Sequence, residues 1–157
     1  MSFPDIYILS GPVHGGKTTR LLEWASSRKD VYGILTPVID GKRYFADART
    51  LEQWPMEALP DEADTLLVGR FSFSRPAFDR AIMLLRECIQ CDGWLVIDEI
   101  GPLELRGEGF GFVLQDILKE RKGKLLLVAR DKVVENLKKT FRLPDLREVK
   151  DMLMLVD

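Results

Sequence analysis

The chain reads as an α/β fold around a mostly parallel sheet, because short apolar runs recur along it and amphipathic segments separate them. A turn signal at Asp40-Gly41-Lys42 adds a hairpin to that pattern. Taken in order, the run at 6–9 is a buried strand, and Leu21, Leu22 and Trp24 mark the helix after it. Residues 31–48 hold two β-rich stretches around the turn, predicting a hairpin at one end of the sheet in place of a helical crossover. Residues 53–64, with Pro55, Pro60 and several acids, read as an exposed connection, and 66–68 as another buried strand. Ser74 before Arg75 and Pro76 makes a helix start, and Phe78, Ile82, Leu85 and Ile89 give that helix its apolar stripe. The run at 94–97 is a strand. Arg106-Gly107-Glu108-Gly109-Phe110-Gly111 lacks full dinucleotide spacing and does not follow a strand, so it reads as a loop entering the helix marked by Val113, Leu114, Ile117 and Leu118. Runs at 125–128 and 153–156 are the last two strands.

A length of 157 residues suits one hydrophobic core, so a single domain over 1–157 is expected. With 46% apolar and 31% charged residues the chain has material for that core and is unlike a disordered segment. The 23 basic and 25 acidic residues nearly cancel without long basic runs, which argues against nucleic acid as a partner. No apolar stretch approaches the roughly 18 residues of a membrane span, and no basic-then-apolar leader opens the chain; no membrane partner and a cytoplasmic location are expected. Nothing in the sequence names a protein partner. Cys88 and Cys91 form a lone C-x-x-C pair, and the one histidine, His14, sits in a loop with another task. They read as ordinary cysteines, neither zinc ligands nor a redox pair.

That loop carries the chemistry. Ile6-Tyr7-Ile8-Leu9 runs into Ser10-Gly11-Pro12-Val13-His14-Gly15-Gly16-Lys17-Thr18-Thr19 and then a helical pattern, matching G-x-x-x-x-G-K-[S/T] in its strand-loop-helix setting. Glycines let the backbone turn its amides onto a phosphate, and the helix N-terminus adds its positive dipole end. Gly11, Pro12, Val13, His14, Gly15, Gly16, Lys17, Thr18 and Thr19 are therefore the expected nucleotide contacts. Lys17 would reach the β- and γ-phosphates, Thr18 would sit on Mg2+, Thr19 would touch the α-phosphate, and His14 fills a variable loop position. The strand at 94–97 ends in Asp98-Glu99. Acids at the end of a buried strand need a cation, so Asp98 is the expected Mg2+ ligand. Glu99, aimed otherwise by strand alternation, is the candidate general base. Arg130, after the strand at 125–128, is the candidate γ-phosphate contact, with Arg43 and Arg70 as alternatives.

Three blocks together resemble a known family: Gly11 to Thr19, Gly33-Ile34-Leu35-Thr36 through Gly41-Lys42-Arg43-Tyr44-Phe45, and Val96-Ile97-Asp98-Glu99-Ile100-Gly101-Pro102-Leu103-Glu104. Their order is similar to the small nucleoside-triphosphatase family first described from thermophiles, also called cancer-related nucleoside triphosphatase. The Asp-Glu-Ile-Gly strand end followed by a further Glu is its most specific part. The resemblance implies a three-layer P-loop NTPase domain of RecA-like type, with a mostly parallel central sheet and an added β-hairpin. It further implies Mg-dependent hydrolysis of ATP, GTP and other nucleoside 5′-triphosphates to the diphosphate and phosphate, with Glu99 as the water-activating acid. The chain departs from the family pattern at His14, where glycine is usual, near Pro37 and Val38, and at Pro102 and Leu103. The loop and the Asp98-Glu99 pair also resemble thymidine kinase of the RecA-like type, although that family adds a zinc-bound lasso with two cysteine pairs. A nucleotide-dependent switch or assembly module is the alternative from a different class.

Overall fold

The computed structural model describes residues 4–11, 16–143, 146–152 and 155. Strand β1 (Asp5–Gly11) is the apolar run of the sequence, extended until it reaches the glycine-rich loop. Its alternating side chains feed two separate cores, Ile6 and Ile8 on one face and Tyr7 and Leu9 on the other. Residues buried on both faces are the signature of a parallel sheet sandwiched between helices. Beside β1 lie β9 (Lys124–Arg130) and β10 (Leu146–Val149), and β9 in turn pairs with β8 (Trp94–Asp98), which pairs with β2 (Val31–Leu35). All four of these pairings are parallel.

The helical layers follow from the stripes. Helix α1 (Lys17–Ser26) buries Leu21 and Ala25 on the Tyr7 face, where Trp94 stands edge-on to Tyr7 at 5.0 Å and to Trp24 at 5.5 Å. On the Ile6 face sit α2 (Arg75–Glu87), α4 (Gly111–Glu120) and α5 (Val134–Thr140), contributing Phe78, Leu85, Val113, Ile117 and Leu137 to the larger core. Ser74 caps α2 as its sequence suggests, its Oγ accepting a 3.2 Å hydrogen bond from the Ala77 amide. A short helix, α3 (Pro102–Leu105), precedes the loop at 106–110, which leads into α4. Among the described residues no helix is long and apolar enough to cross a membrane.

The segment 31–48 is only partly a hairpin. Its first stretch, β2, joins the parallel sheet, since Val31, Ile34 and Leu35 have a buried partner in β8 or a core to fill. The turn at Asp40-Gly41 links β3 (Val38–Ile39) to β4 (Lys42–Asp47), with φ of 51° and 77° at its two central residues, the primed geometry that suits a two-residue hairpin. Strand β4 adds antiparallel to β2 at the sheet edge.

Two other expectations are corrected. The connection at 53–64 begins as a strand, β5 (Gln53–Pro55) on β4, because Trp54 inserts into the core and donates its indole N–H to the Ala77 carbonyl at 3.0 Å. The run at 66–68 belongs to β6 (Thr65–Val68), which pairs only with β7 (Phe71–Ser74) in a separate two-stranded ribbon. Only one face of that ribbon packs: Leu66 and Phe73 are buried, but Leu67 is 61% exposed. The expected strand at 153–156 lies outside the described residues except for Leu155, which is in no strand. Among the described residues the last strand is β10, whose central Arg147 and Glu148 break any apolar run.

Arg121, 1% exposed, ties the opposite end of the sheet by donating to the carbonyls of Ile89, Cys91, Gly93 and Lys124 at 2.8–3.1 Å. Cys88 and Cys91 are free thiols, and burial pushes the Cys88 thiol up to about 11, far from the thiolate that redox chemistry uses. Gly33 is the most demanding backbone position of the sheet. It holds φ +120°, and a Cβ there would lie 2.0 Å from the Val96 carbonyl oxygen of β8. Gly33→Ala is expected to lower unfolding free energy by about 3 kcal/mol or more, read from urea denaturation. A loss below about 1 kcal/mol would mean the two strands can separate there at little cost.

Candidate active site

The parallel registers bring four strand ends to one edge. Gly11 of β1 pairs with Arg130 of β9, Val128 of β9 with Asp98 of β8, and Ile97 of β8 with Ile34 of β2. The carboxyl ends of parallel strands are where open α/β sheets bind ligands. A cleft of about 360 Å3 lies there, lined by Gly16, Lys17, Thr18 and Thr19 on one side and by Thr36, Arg43, Glu99 and Arg130 on the other. The expected contacts Pro12, Val13, His14 and Gly15 fall outside the described residues.

Gly16 takes φ 75° as the residue ahead of α1, and among the described residues no side chain caps that helix. The orphan amides and dipole end of such a helix start suit an anion in the cleft. The Lys17 ammonium donates to the Gly11 carbonyl at 3.4 Å, folded back along the strand that precedes the loop. Thr18, one residue on, donates its hydroxyl to Asp98 Oδ2 at 2.9 Å and so joins α1 to β8 across the intervening strand β9.

Asp98 is buried, 1% exposed, and its Oδ2 also accepts the Thr36 amide at 3.1 Å. Its other oxygen, Oδ1, is buried with no hydrogen-bond partner among the described residues. Burial, with the nearby Glu99 charge adding to it, pushes the Asp98 carboxyl up to about 6. An orphaned carboxylate oxygen is costly unless a ligand completes it. Paired with the Thr18 hydroxyl, it is an oxygen donor set that fits Mg2+, which takes one or two protein oxygens and fills its remaining positions with water and substrate phosphates. Among the described residues no cluster of three or more His, Cys, Asp or Glu could hold a metal.

Glu99 follows Asp98 through a cis peptide bond and lies in the cleft wall with its side chain 29% exposed. Its Oε1 is 3.1 Å from Arg130 Nε, and the arginine is 39% exposed. The acid and the cation expected to act on a γ-phosphoryl group are thus each other's partners. Arg43 also reaches the cleft, whereas Arg70 does not line it.

Two contributors were not assigned from sequence. Thr36 enters because β2 lies next to β8, a neighbour relation that the hairpin reading of 31–48 concealed. Glu104 belongs to the third motif block but acts as a clamp: buried, it accepts the Gly101 amide on Oε1 at 2.7 Å and the Phe110 amide on Oε2 at 2.9 Å. It thereby pins both ends of the turn that follows Glu99. Burial pushes its carboxyl up to about 7 against the pull of those two amides. A raised folded-state value means the folded protein holds this proton where the unfolded chain has lost it. The stability contributed is complete below about 4.5 and is lost as pH rises through about 7. Glu104→Gln, which cannot ionise, is therefore expected to melt progressively higher relative to the parent between pH 5 and 8, by an amount on the order of 2–3 kcal/mol. A difference that stays flat across that range would remove the buried titration. Ser10 adds a further tie behind the loop, donating to Glu148 Oε1 at 3.1 Å and accepting Lys150 at 2.7 Å, which links β1 to β10.

Comparison with known proteins agrees with this architecture. The fold is similar to the crystal structure of THEP1 from the hyperthermophile Aquifex aeolicus, with a TM-score of 0.73 and 20% identity over 92% of this chain and 88% of that one. It is also similar to the solution structure of a human cancer-related nucleoside triphosphatase, with a TM-score of 0.66 and 21% identity over 96% of this chain and 90% of that one. A search of curated proteins finds no match. The model of the family described as NTPase matches residues 6–152, a span that includes Lys17, Thr18, Asp98, Glu99 and Arg130. The chain belongs to the NTPase family, and its three-layer α/β fold is that of a P-loop NTPase.

Proposed function

We propose that the protein hydrolyses nucleoside 5′-triphosphates, ATP and GTP among them, to the diphosphate and phosphate with Mg2+ as cofactor. One observation carries the reading. Lys17, Thr18, Glu99 and Arg130 line a single cleft, and Asp98, with its orphaned Oδ1, is hydrogen-bonded to Thr18.

The triphosphate lies along the N-terminus of α1, where backbone amides and Lys17 hold its β- and γ-oxygens. Thr18 and Asp98 would hold Mg2+, which when bound would neutralise charge on those oxygens. As the γ-phosphate arrives it competes with Glu99 for Arg130. The arginine then stabilises charge on the transferring group, and the freed carboxylate of Glu99 accepts a proton from water. The water oxygen bonds to the γ-phosphorus as the bond to the β–γ bridging oxygen breaks, and the diphosphate leaves with that electron pair.

The test is phosphate release from a panel of nucleoside triphosphates with Mg2+ and with a chelator, for the parent and Lys17→Ala. Removing one charge-assisted contact worth about 1.5–3 kcal/mol is expected to weaken triphosphate binding by about 10- to 150-fold. No release from any triphosphate with Mg2+, or full activity with chelator, overturns the proposal.

A further inference from the structure

Beyond Glu99 the triphosphate cleft opens into a second cavity of about 260 Å3, and Thr36, Arg43, Glu99 and Arg130 line both spaces. Its apolar walls include Met56, Val68, Phe71, Phe73, Phe78 and Phe110, contributed by the residue after β5, by β6, β7 and α2, and by the loop before α4. The rings form a chain, Phe71 parallel to Phe73 at 5.8 Å, Phe73 to Phe78 at 6.2 Å and Phe78 to Phe110 at 5.2 Å. Arg43 and Arg70 stand over Phe71 at 4.8 and 5.3 Å. Neither guanidinium has a carboxylate partner among the described residues, although both line the cavity.

Hydrolysis alone needs room for one water beside Glu99, and an open aromatic chamber at that position adds nothing to it. Aromatic walls suit a planar ring, which every nucleobase offers. Guanidinium groups without carboxylates suit an anion, and arginine matches the fork of a phosphate. The volume sits just under the usual range for drug-sized ligands, so the space holds a ring and its phosphate arm but no second triphosphate. Because Arg43 borders both spaces, an anion held there lies next to the γ-phosphate end of the cleft.

We propose that this cavity is a second substrate site, which takes a planar-ringed phosphate monoester of the nucleoside 5′-monophosphate class as acceptor of the γ-phosphoryl group. The inference rests on the triphosphate reading of the neighbouring cleft. An oxygen of the acceptor phosphate bonds to the γ-phosphorus while the bond to the β–γ bridging oxygen breaks, and the electron pair leaves on the donor nucleoside diphosphate. A dianionic acceptor gives up no proton, and a monoanionic one passes its proton to Glu99. The products are two nucleoside diphosphates; when the cavity holds only water, the product is phosphate.

The experiment uses ATP labelled in its γ-phosphate, Mg2+, the full chain, and AMP, GMP, CMP or UMP in turn, with the four phosphate-free nucleosides as controls. Label is expected in a nucleoside diphosphate, rising with monophosphate concentration as labelled inorganic phosphate falls. Arg70→Ala, outside the triphosphate cleft, is expected to raise the acceptor KM about tenfold or more. Val68→Trp fills the cavity from the ribbon and is expected to abolish transfer while ATP hydrolysis stays within about twofold of the parent, which also certifies its fold. Label recovered only as inorganic phosphate at millimolar acceptor overturns the proposal. Transfer that persists in Val68→Trp, or that runs equally well to the nucleosides, overturns it too. If no label leaves ATP at all, the triphosphate reading fails, and binding of labelled AMP beside a non-hydrolysable ATP analogue decides the cavity. Binding lost in Val68→Trp supports the site, and no binding to the parent overturns it.

Discussion

Replacing Glu99 with Gln is expected to lower the kcat for ATP hydrolysis by about 10²- to 10⁴-fold while triphosphate affinity stays within about threefold of the parent. The substitution keeps the shape and one acceptor oxygen but cannot take a proton from water. Its effect on binding should be small because the carboxylate of Glu99 is paired with Arg130, at 3.1 Å, and is assigned to the attacking water and not to the phosphates. Losing that ion pair releases the arginine for phosphate, so any change in affinity should run toward tighter binding. The pair is well exposed, 39% and 29%, and contributes little to stability in either form. Single-turnover phosphate release, set against equilibrium binding of a non-hydrolysable analogue, separates the two parameters. Unchanged turnover removes Glu99 from the mechanism. Turnover and affinity falling by the same factor would make it a positioning residue for Arg130.

What the sequence made legible was local. The strand-loop-helix around Lys17 and the Asp98-Glu99 strand end could be read because glycine, lysine and paired acids at fixed spacing have few structural reasons to occur together. Both acids and Lys17 line or adjoin one cleft because β1, β9 and β8 stand side by side in parallel register. That adjacency is a tertiary fact. The interposed β9, which carries Arg130 to the cleft, could be guessed only from the rule that ligands sit at strand carboxyl ends. The segment 31–48 was misread in part because a turn signal at Asp40-Gly41 says nothing of where the preceding strand pairs; β2 met β8, and Thr36 came with it. Strand β10 was hidden by Arg147 and Glu148, which are both exposed although they point to opposite faces, as an edge strand allows. The second cavity left no periodic trace at all, since its phenylalanines come from three separate elements and each alone resembles an ordinary core residue.

Asp98→Asn should separate the stability of the protein from its chemistry. At pH 8 the parent carries a buried charge whose carboxyl has been pushed up from 3.8 to about 6, a penalty on the order of 3 kcal/mol against a neutral side chain. The amide keeps an acceptor for the Thr18 hydroxyl and the Thr36 amide, and it places an N–H2 where Oδ1 has no partner, which costs about 1–3 kcal/mol. The ligand-free variant is therefore expected to be as stable as the parent or more so, by about 0–2 kcal/mol at pH 8, in a denaturant melt. Turnover should nevertheless fall about 10³-fold, the scale of losing several kcal/mol of charge stabilisation at the transferring phosphoryl group. The parent should also gain about 2.7 kcal/mol from Mg2+ and a triphosphate analogue at a hundredfold Kd, and the Mg-dependent share of that gain should vanish in the variant. A variant that unfolds as readily as a core truncation would reverse the assignment. Asp98 would then be retained for its bonds to Thr18 and Thr36, and its unpartnered oxygen would no longer point to a metal ion.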